Sequence, residues 1–144
     1  MPRLDAERIA LWREFCTIAA GLQRKIDQAL TDDHALPLAW FEVLTAVRNA
    51  GGSMRVHELR GVLDEVPSSL SRRLDRMVDE GHLKRKHTPL PDDRRAVTVS
   101  MTNNGRYAWR DANITYRRMV QHHFAQRLTD TDIAALQRVW SKLG

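Results

Sequence analysis

Residues 68–86 read SSLSRRLDRMVDEGHLKRK. Leu70, Leu74, Met77 and Val78 recur here at i, i+4, i+7 and i+8, the spacing of one apolar stripe on a helix. Pro67, just before, suits a first helical position, where its missing N–H would have no partner anyway. Gly81 is the natural C-terminal stop, so the pattern predicts a helix over residues 67–80. Past the glycine the period changes. In HLKRKHT (82–88) and AVTVSMT (96–102) apolar and polar residues alternate, most cleanly at Val97, Val99 and Met101. Alternation with β-branched residues is the strand signature. The connection TPLPDDRR (88–95) holds two prolines and two acids and forms the tip of a hairpin.

Upstream, a short helix is predicted over 56–63, with Val56, Leu59, Val62 and Leu63 facing inward. Before it, Gly51-Gly52-Ser53 stops a helix over 38–50. That helix carries Trp40, Phe41, Val43, Leu44 and Val47 on more than one face, so it is buried on several sides. Residues 5–31 form a longer helix with Leu11, Phe15, Ile18, Leu22, Ile26 and Leu30 on one stripe. Asp5 is its predicted N-cap and TDDH (31–34) its end, and Pro37 falls in the first turn of the next helix. Downstream, Thr102 caps a long helix reaching about Leu128, with Trp109, Ala112, Tyr116, Met119, Val120, Phe124 and Leu128 on one side. Thr129 opens the last helix, with Asp132 placed three residues on for a capping box. Its stripe is Ile133, Leu136, Val139, Trp140 and Leu143. The predicted order is α-α-α-α-β-β-α-α: mainly α with a small β-hairpin wing.

The 144 residues are one domain's worth, and 42% hydrophobic residues suffice for a core. A net charge of +5 suggests a polyanionic partner, nucleic acid before membrane, although many soluble proteins are equally basic. The single cysteine, Cys16, excludes an intrachain disulfide and a Cys-rich zinc site, and fits a reducing cytosol. MPRLDAERIA at the N-terminus lacks a signal peptide's apolar stretch, and no segment nears the ~20 apolar residues of a membrane span. The expected place is the cytoplasm, with no membrane partner.

A short helix, a tight turn, a second helix and a wing make a winged helix-turn-helix, whose second helix fits the DNA major groove. With Leu70, Leu74 and Met77 turned inward, Ser68, Ser69, Ser71, Arg72, Arg73 and Arg76 populate its other faces. Serines near a helix N-terminus suit phosphates or base edges, and arginines fork onto guanine or phosphate. Residues 72–95 hold eight bases (Arg72, Arg73, Arg76, Lys84, Arg85, Lys86, Arg94, Arg95) against five acids (Asp75, Asp79, Glu80, Asp92, Asp93). Taken alone, such a run merely solvates an exposed face; its placement on this frame is what points to DNA.

Three segments carry a family resemblance: LPLAWFEVLTAV (36–47), SSLSRRLDRMVDEGHLKRK (68–86) and PDDRRAVTVSMTNNG (91–105). Together they resemble the multiple-antibiotic-resistance regulator (MarR) family over nearly the whole chain. The last is the most specific, with an acid-rich wing ending Asp-Arg-Arg, then a strand, then Thr, two residues and Gly. The resemblance implies recognition-helix contacts at Ser68, Ser71 and Arg72. It also implies a wing arginine, Arg95, in the adjacent minor groove, oriented by Asp93, with Arg94 a second candidate. A narrow minor groove concentrates negative potential and favours such an arginine. The sequence departs from the pattern at Val66, where a Ser or Thr often caps the recognition helix, and at Arg60 and Gly61 in the preceding helix.

The outer helices carry more apolar surface than a winged-helix core can bury, so residues 1–52 and 102–144 are expected to dimerise around a DNA-binding unit at 53–101. The chain is then expected to be a homodimeric repressor on palindromic double-stranded DNA, released by a small-molecule effector as the resemblance implies. No Ser-His-Asp, paired-carboxylate or Gly-rich phosphate motif supports an enzyme, and no cofactor is indicated. His122 and His123 point about 100° apart on a helix, and His34, His57, His82 and His87 show no ligand spacing, so no metal is expected. Trp12, Trp40, Trp109 and Trp140 could line an effector cavity, although tryptophans at helical spacing are usually core. Two alternatives stay open: a thiol-based redox switch at Cys16 and a winged-helix protein-interaction module. For Cys16 the residues favour a structural, half-buried role, since the sensors of this kind use tyrosines from the second helix, where this chain has Trp40 and Phe41.

Overall fold

The computed structural model describes residues 5–144. In chain order the elements are α1 (Ala6–His34), α2 (Leu38–Asn49), β1 (Ser53–Arg55), α3 (Val56–Leu63), α4 (Pro67–Asp79), β2 (Leu83–His87), β3 (Val97–Met101), α5 (Asn103–His123), a 3-10 turn (Ala125–Arg127) and α6 (Asp130–Leu143). The predicted winged helix-turn-helix is present. Residues 1–4, part of the expected N-terminal dimerisation region, lie outside the described residues. Among those described, no helix is long and apolar enough to cross a membrane.

The sheet has three strands where the sequence predicts two. β1 lies beside β3, giving the antiparallel order β1-β3-β2, with Ser53 opposite Ser100 and Leu83 opposite Met101. Three residues are too few to show an alternation, so β1 has no sequence signature. It exists because Gly51 and Gly52 turn at φ +96° and +102°, and the Gly52 carbonyl then accepts from the Met101 amide at 2.9 Å.

Around this sheet the core draws on α2, α3, α4 and the middle of α5. Phe41, Leu44, Val47, Leu59, Leu70, Leu74, Met77, Leu83 and Val99 are fully buried or nearly so. Phe41 stacks parallel to Trp109, 6.1 Å between ring centres, and meets Tyr116 at 4.7 Å. Trp109 is held in turn by its indole N–H, which donates to Thr45 Oγ1 at 2.9 Å.

Helix ends follow local chemistry. The Asp5 carboxylate accepts from the amides of Glu7 and Arg8, as an N-cap should. α1 runs through TDDH instead of stopping there, because Gln28 donates to Asp32 one turn on and the break comes only at Ala35, at φ +50°. Ala35 and Leu36 then donate back to the carbonyls of Thr31 and Leu30, closing the helix without a glycine. Pro37 is the N-cap of α2, one place before the predicted first turn, and Asp27 on α1 accepts from the Leu38 amide at 2.8 Å. At α6, Thr129 and Asp132 form a reciprocal capping box.

Four further expectations are corrected. α5 ends at His123, short of Leu128, because Phe124 leaves helical geometry (φ −126°, ψ −68°) and a 3-10 turn follows; no Gly or Pro announces the break. Val62 is 66% exposed, since α3 is two turns long and only its Leu59 side meets the core. Cys16 is exposed, because the first half of α1 projects past the core. The tryptophans divide: Trp40 and Trp109 pack on the core, whereas Trp12 and Trp140 stand exposed at the ends of the chain.

Candidate nucleic-acid interface

α4 turns Leu70, Leu74 and Met77 into the core and leaves Ser68, Ser69, Ser71, Arg72 and Arg76 exposed. Its N-cap is Val66, with no side-chain cap, so the first turn keeps free amide donors beside two serines. Such an end favours anions. Arg72 is steadied by a 3.3 Å bond from its Nε–H to the Ser68 carbonyl, which lays it along the helix surface. Arg73 differs from the others. Its guanidinium turns back to Glu65, 2.8 Å away, and the side chain is only 14% exposed.

The wing is tied to this helix. Arg85 on β2 pairs with Asp75 on α4, which spends Arg85 on the wing-to-helix contact. At the tip, Leu90 and Asp93 exchange both backbone hydrogen bonds, at 2.8 and 3.1 Å, around Pro91 and Asp92. His87 Nε2 lies 2.9 Å from the Arg94 carbonyl, joining the two arms of the loop. Asp93 Oδ1 accepts from the Arg95 amide at 3.0 Å, so Asp93 orients Arg95 through its backbone. The other oxygen, Oδ2, faces Arg55 at 3.6 Å. Arg94 and Arg95 are exposed, and neither is in an ion pair among the described residues.

Of the sequence-predicted residues, Ser68, Ser69, Ser71, Arg72 and Arg76 therefore share one outer surface, and Arg94 and Arg95 sit on the wing. Arg73 turns back to Glu65, while Arg85 and Asp93 remain at the surface, paired with Asp75 and Arg55. The structure adds two bases that the sequence reading did not place in the site. Arg55, at the end of β1, and Arg60, on α3, line a recess of about 280 Å³ with His57 and Arg95. Only the β1–β3 pairing brings them to the wing, and no sequence signal encodes it. Among the described residues no group of three or more His, Cys, Asp or Glu is placed to hold a metal ion.

No protein-family model matches the chain. It is 30% identical over 118 residues to the multiple antibiotic resistance protein MarR of Escherichia coli K12, an alignment covering 79% of this chain and 80% of that protein. A crystal structure of mutant E. coli MarR complexed with operator DNA superposes with a TM-score of 0.80 at 28% identity, over 99% of both chains. Two MarR family transcriptional regulators from Streptomyces coelicolor share the fold. AbsC has a TM-score of 0.85 at 20% identity, covering 99% of this chain and 95% of its own. Sco3205, solved in complex with DNA, has 0.87 at 23%, covering 99% and 89%. These relatives are transcriptional regulators, not enzymes. With the shared winged helix and this identity over four-fifths of the E. coli protein, the chain belongs to the MarR family of transcriptional regulators.

Proposed function

We propose that this protein is a homodimeric, sequence-specific DNA-binding regulator that lays α4 in the major groove and a wing arginine in the minor groove. The observation that carries the reading is the set of exposed bases on α4 and the wing, on a frame that a 28% identical relative uses in complex with operator DNA. Ser68, Ser69, Ser71, Arg72 and Arg76 then face base edges and phosphates, and Arg95 or Arg94 enters the minor groove. Residues 53–101 form the DNA-binding unit, with the flanking helices for dimerisation.

Dimerisation is supported by what one chain leaves uncovered. α1 has 29 residues, of which Leu30 alone is buried. Trp12 is 64% and Ile18 61% exposed, and Phe15 packs edge-on against Trp140 of α6 at 5.6 Å, so the two terminal helices build one apolar surface. A surface of this kind on an isolated chain favours a second copy. Two copies carry about +10 and place two recognition helices on a near-palindromic site about one turn apart.

Repression relieved by a small-molecule effector is the second part of the proposal. An open groove of about 690 Å³ between α1, α2 and the α3–α4 turn, lined in part by Arg24, Leu38, Glu42, Val62 and Glu65, is the place where one would act. Burial raises the Glu42 carboxyl above its usual range there. A redox role for Cys16 draws only on its exposure, and the proposed dimer would cover that face.

Selection of bound sequences from a random DNA library tests the reading. A palindrome with half-sites one turn apart is expected; failure to enrich any sequence would overturn it and favour a protein-interaction module.

A further inference from the structure

The α4 arginine that does not face outward bears on how the helix is aimed. The turn from α3 to α4 has few fixings. Asp64 reverses the chain at φ +51°, Glu65 N–H reaches the Arg60 carbonyl at a long 3.4 Å, and Val66 and Pro67 are exposed with no side-chain cap. Among the described residues, one side-chain polar link crosses this turn: Arg73 Nη1 to Glu65 Oε2 at 2.8 Å. The Arg73 side chain runs back toward the helix N-terminus, the direction helical side chains favour. It reaches a residue that lies before the helix begins. The pair is 14% and 27% exposed, against 32% and 58% for Arg85–Asp75, and neither contacting atom has a hydrogen-bond partner, so the contact is an ion pair without hydrogen-bond alignment. A half-buried pair is screened less by salt than a surface one, and removing either partner strands the other's charge.

We propose that Glu65 and Arg73 are a positioning pair: the carboxylate of the turn holds the recognition helix at its DNA-competent angle, and Arg73 itself touches neither base nor phosphate. The inference rests on the DNA-binding reading above and assigns Arg73 a role different from that of its neighbours Arg72 and Arg76. Glu65 also lines the groove beside α1 and α2, so a ligand there would meet the anchor of the helix directly.

The test compares full-length wild type with Glu65→Gln, Arg73→Ala, the double variant and the swapped pair Glu65→Arg/Arg73→Glu. Hydrogen exchange is measured in the free protein, and affinity for the selected DNA at several salt concentrations. A positioning pair predicts faster exchange over residues 65–73 in both single variants. It also predicts affinity about tenfold lower in each, a double variant no worse than either single, and recovery by the swap. The salt slope stays at its wild-type value, because no phosphate contact is lost. The proposal is overturned if Arg73→Ala lowers the slope by about one unit while Glu65→Gln binds as wild type, or if exchange is unchanged in both. Absence of DNA binding by the wild type would refute the regulator reading alone, and exchange would still decide whether the pair holds the helix.

Discussion

Adding one methyl group at Gly105 tests how the wing is joined to the helix that follows it. A Cβ on Gly105 would lie 2.1 Å from the His82 carbonyl oxygen and 3.1 Å from its carbon. A comfortable C···O contact is about 3.3 Å, so backbone must move by roughly an ångström. Three hydrogen bonds meet at this spot. Thr102 N–H donates to the His82 carbonyl at 3.1 Å, Thr102 Oγ1 donates to the Gly81 carbonyl at 2.6 Å, and Gly105 N–H donates to Thr102 Oγ1 at 2.9 Å. Overpacking costs about 1–3 kcal/mol, and each hydrogen bond disturbed about 1 kcal/mol. Alanine's better helix propensity returns about 1 kcal/mol. With two of the three bonds disturbed, Gly105→Ala should lose about 2–4 kcal/mol, a fall in Tm on the order of 5–15 °C for a chain of this length. Calorimetry at one fixed protein concentration measures it, because the Tm of the proposed dimer would depend on concentration. His82 leads straight into β2, so the variant should also disturb the wing. A Gly105→Ala protein as stable as wild type would refute the close approach and the junction built on it.

Gly61→Ala should act in the opposite direction: nothing lies within 4 Å of the added Cβ, so α3 gains about 0.5–1 kcal/mol in urea unfolding. Arg95→Ala should weaken DNA binding and reduce the salt slope, whereas an unchanged slope in mobility-shift titrations would remove Arg95 from the interface. Phe15→Asp places a charge on the apolar surface shared by α1 and α6 and should shift sedimentation toward monomer; an unaltered dimer would show that the contact lies elsewhere. Burial holds the His82 pKa below 6.5, opposed in part by the Glu80 charge. The folded chain thus resists a proton that the unfolded chain accepts. Stability is complete above about 6.5 and is lost as pH falls from there through the folded pKa. His82→Gln should flatten that decline, and an equally steep one in the variant would exclude His82 as its source.

Local chemistry made the central frame legible. Leu70, Leu74 and Met77 face the core because the 3.6-residue period leaves them no other common side, and Gly81 at φ +84° stops the helix as its position predicts. Thr102 and Thr129 cap their helices through bonds spanning three residues. What pairing or packing between distant segments decides was not legible. β1 exists only because β3 offers an edge 47 residues away, and with it come Arg55 and Arg60 beside the wing. Val62, which a stripe assigns to the core, and Cys16, expected half-buried, both stand exposed, because burial depends on whether another element arrives, and within one chain none does. The arginines of α4 look equivalent in sequence. Helix phase and the α3–α4 turn alone separate Arg73, drawn back to Glu65, from Arg72 and Arg76, left facing outward. Short-range periodicity and capping are written in consecutive residues; the partner of a charge is set by the approach of chain segments, which only the tertiary structure decides.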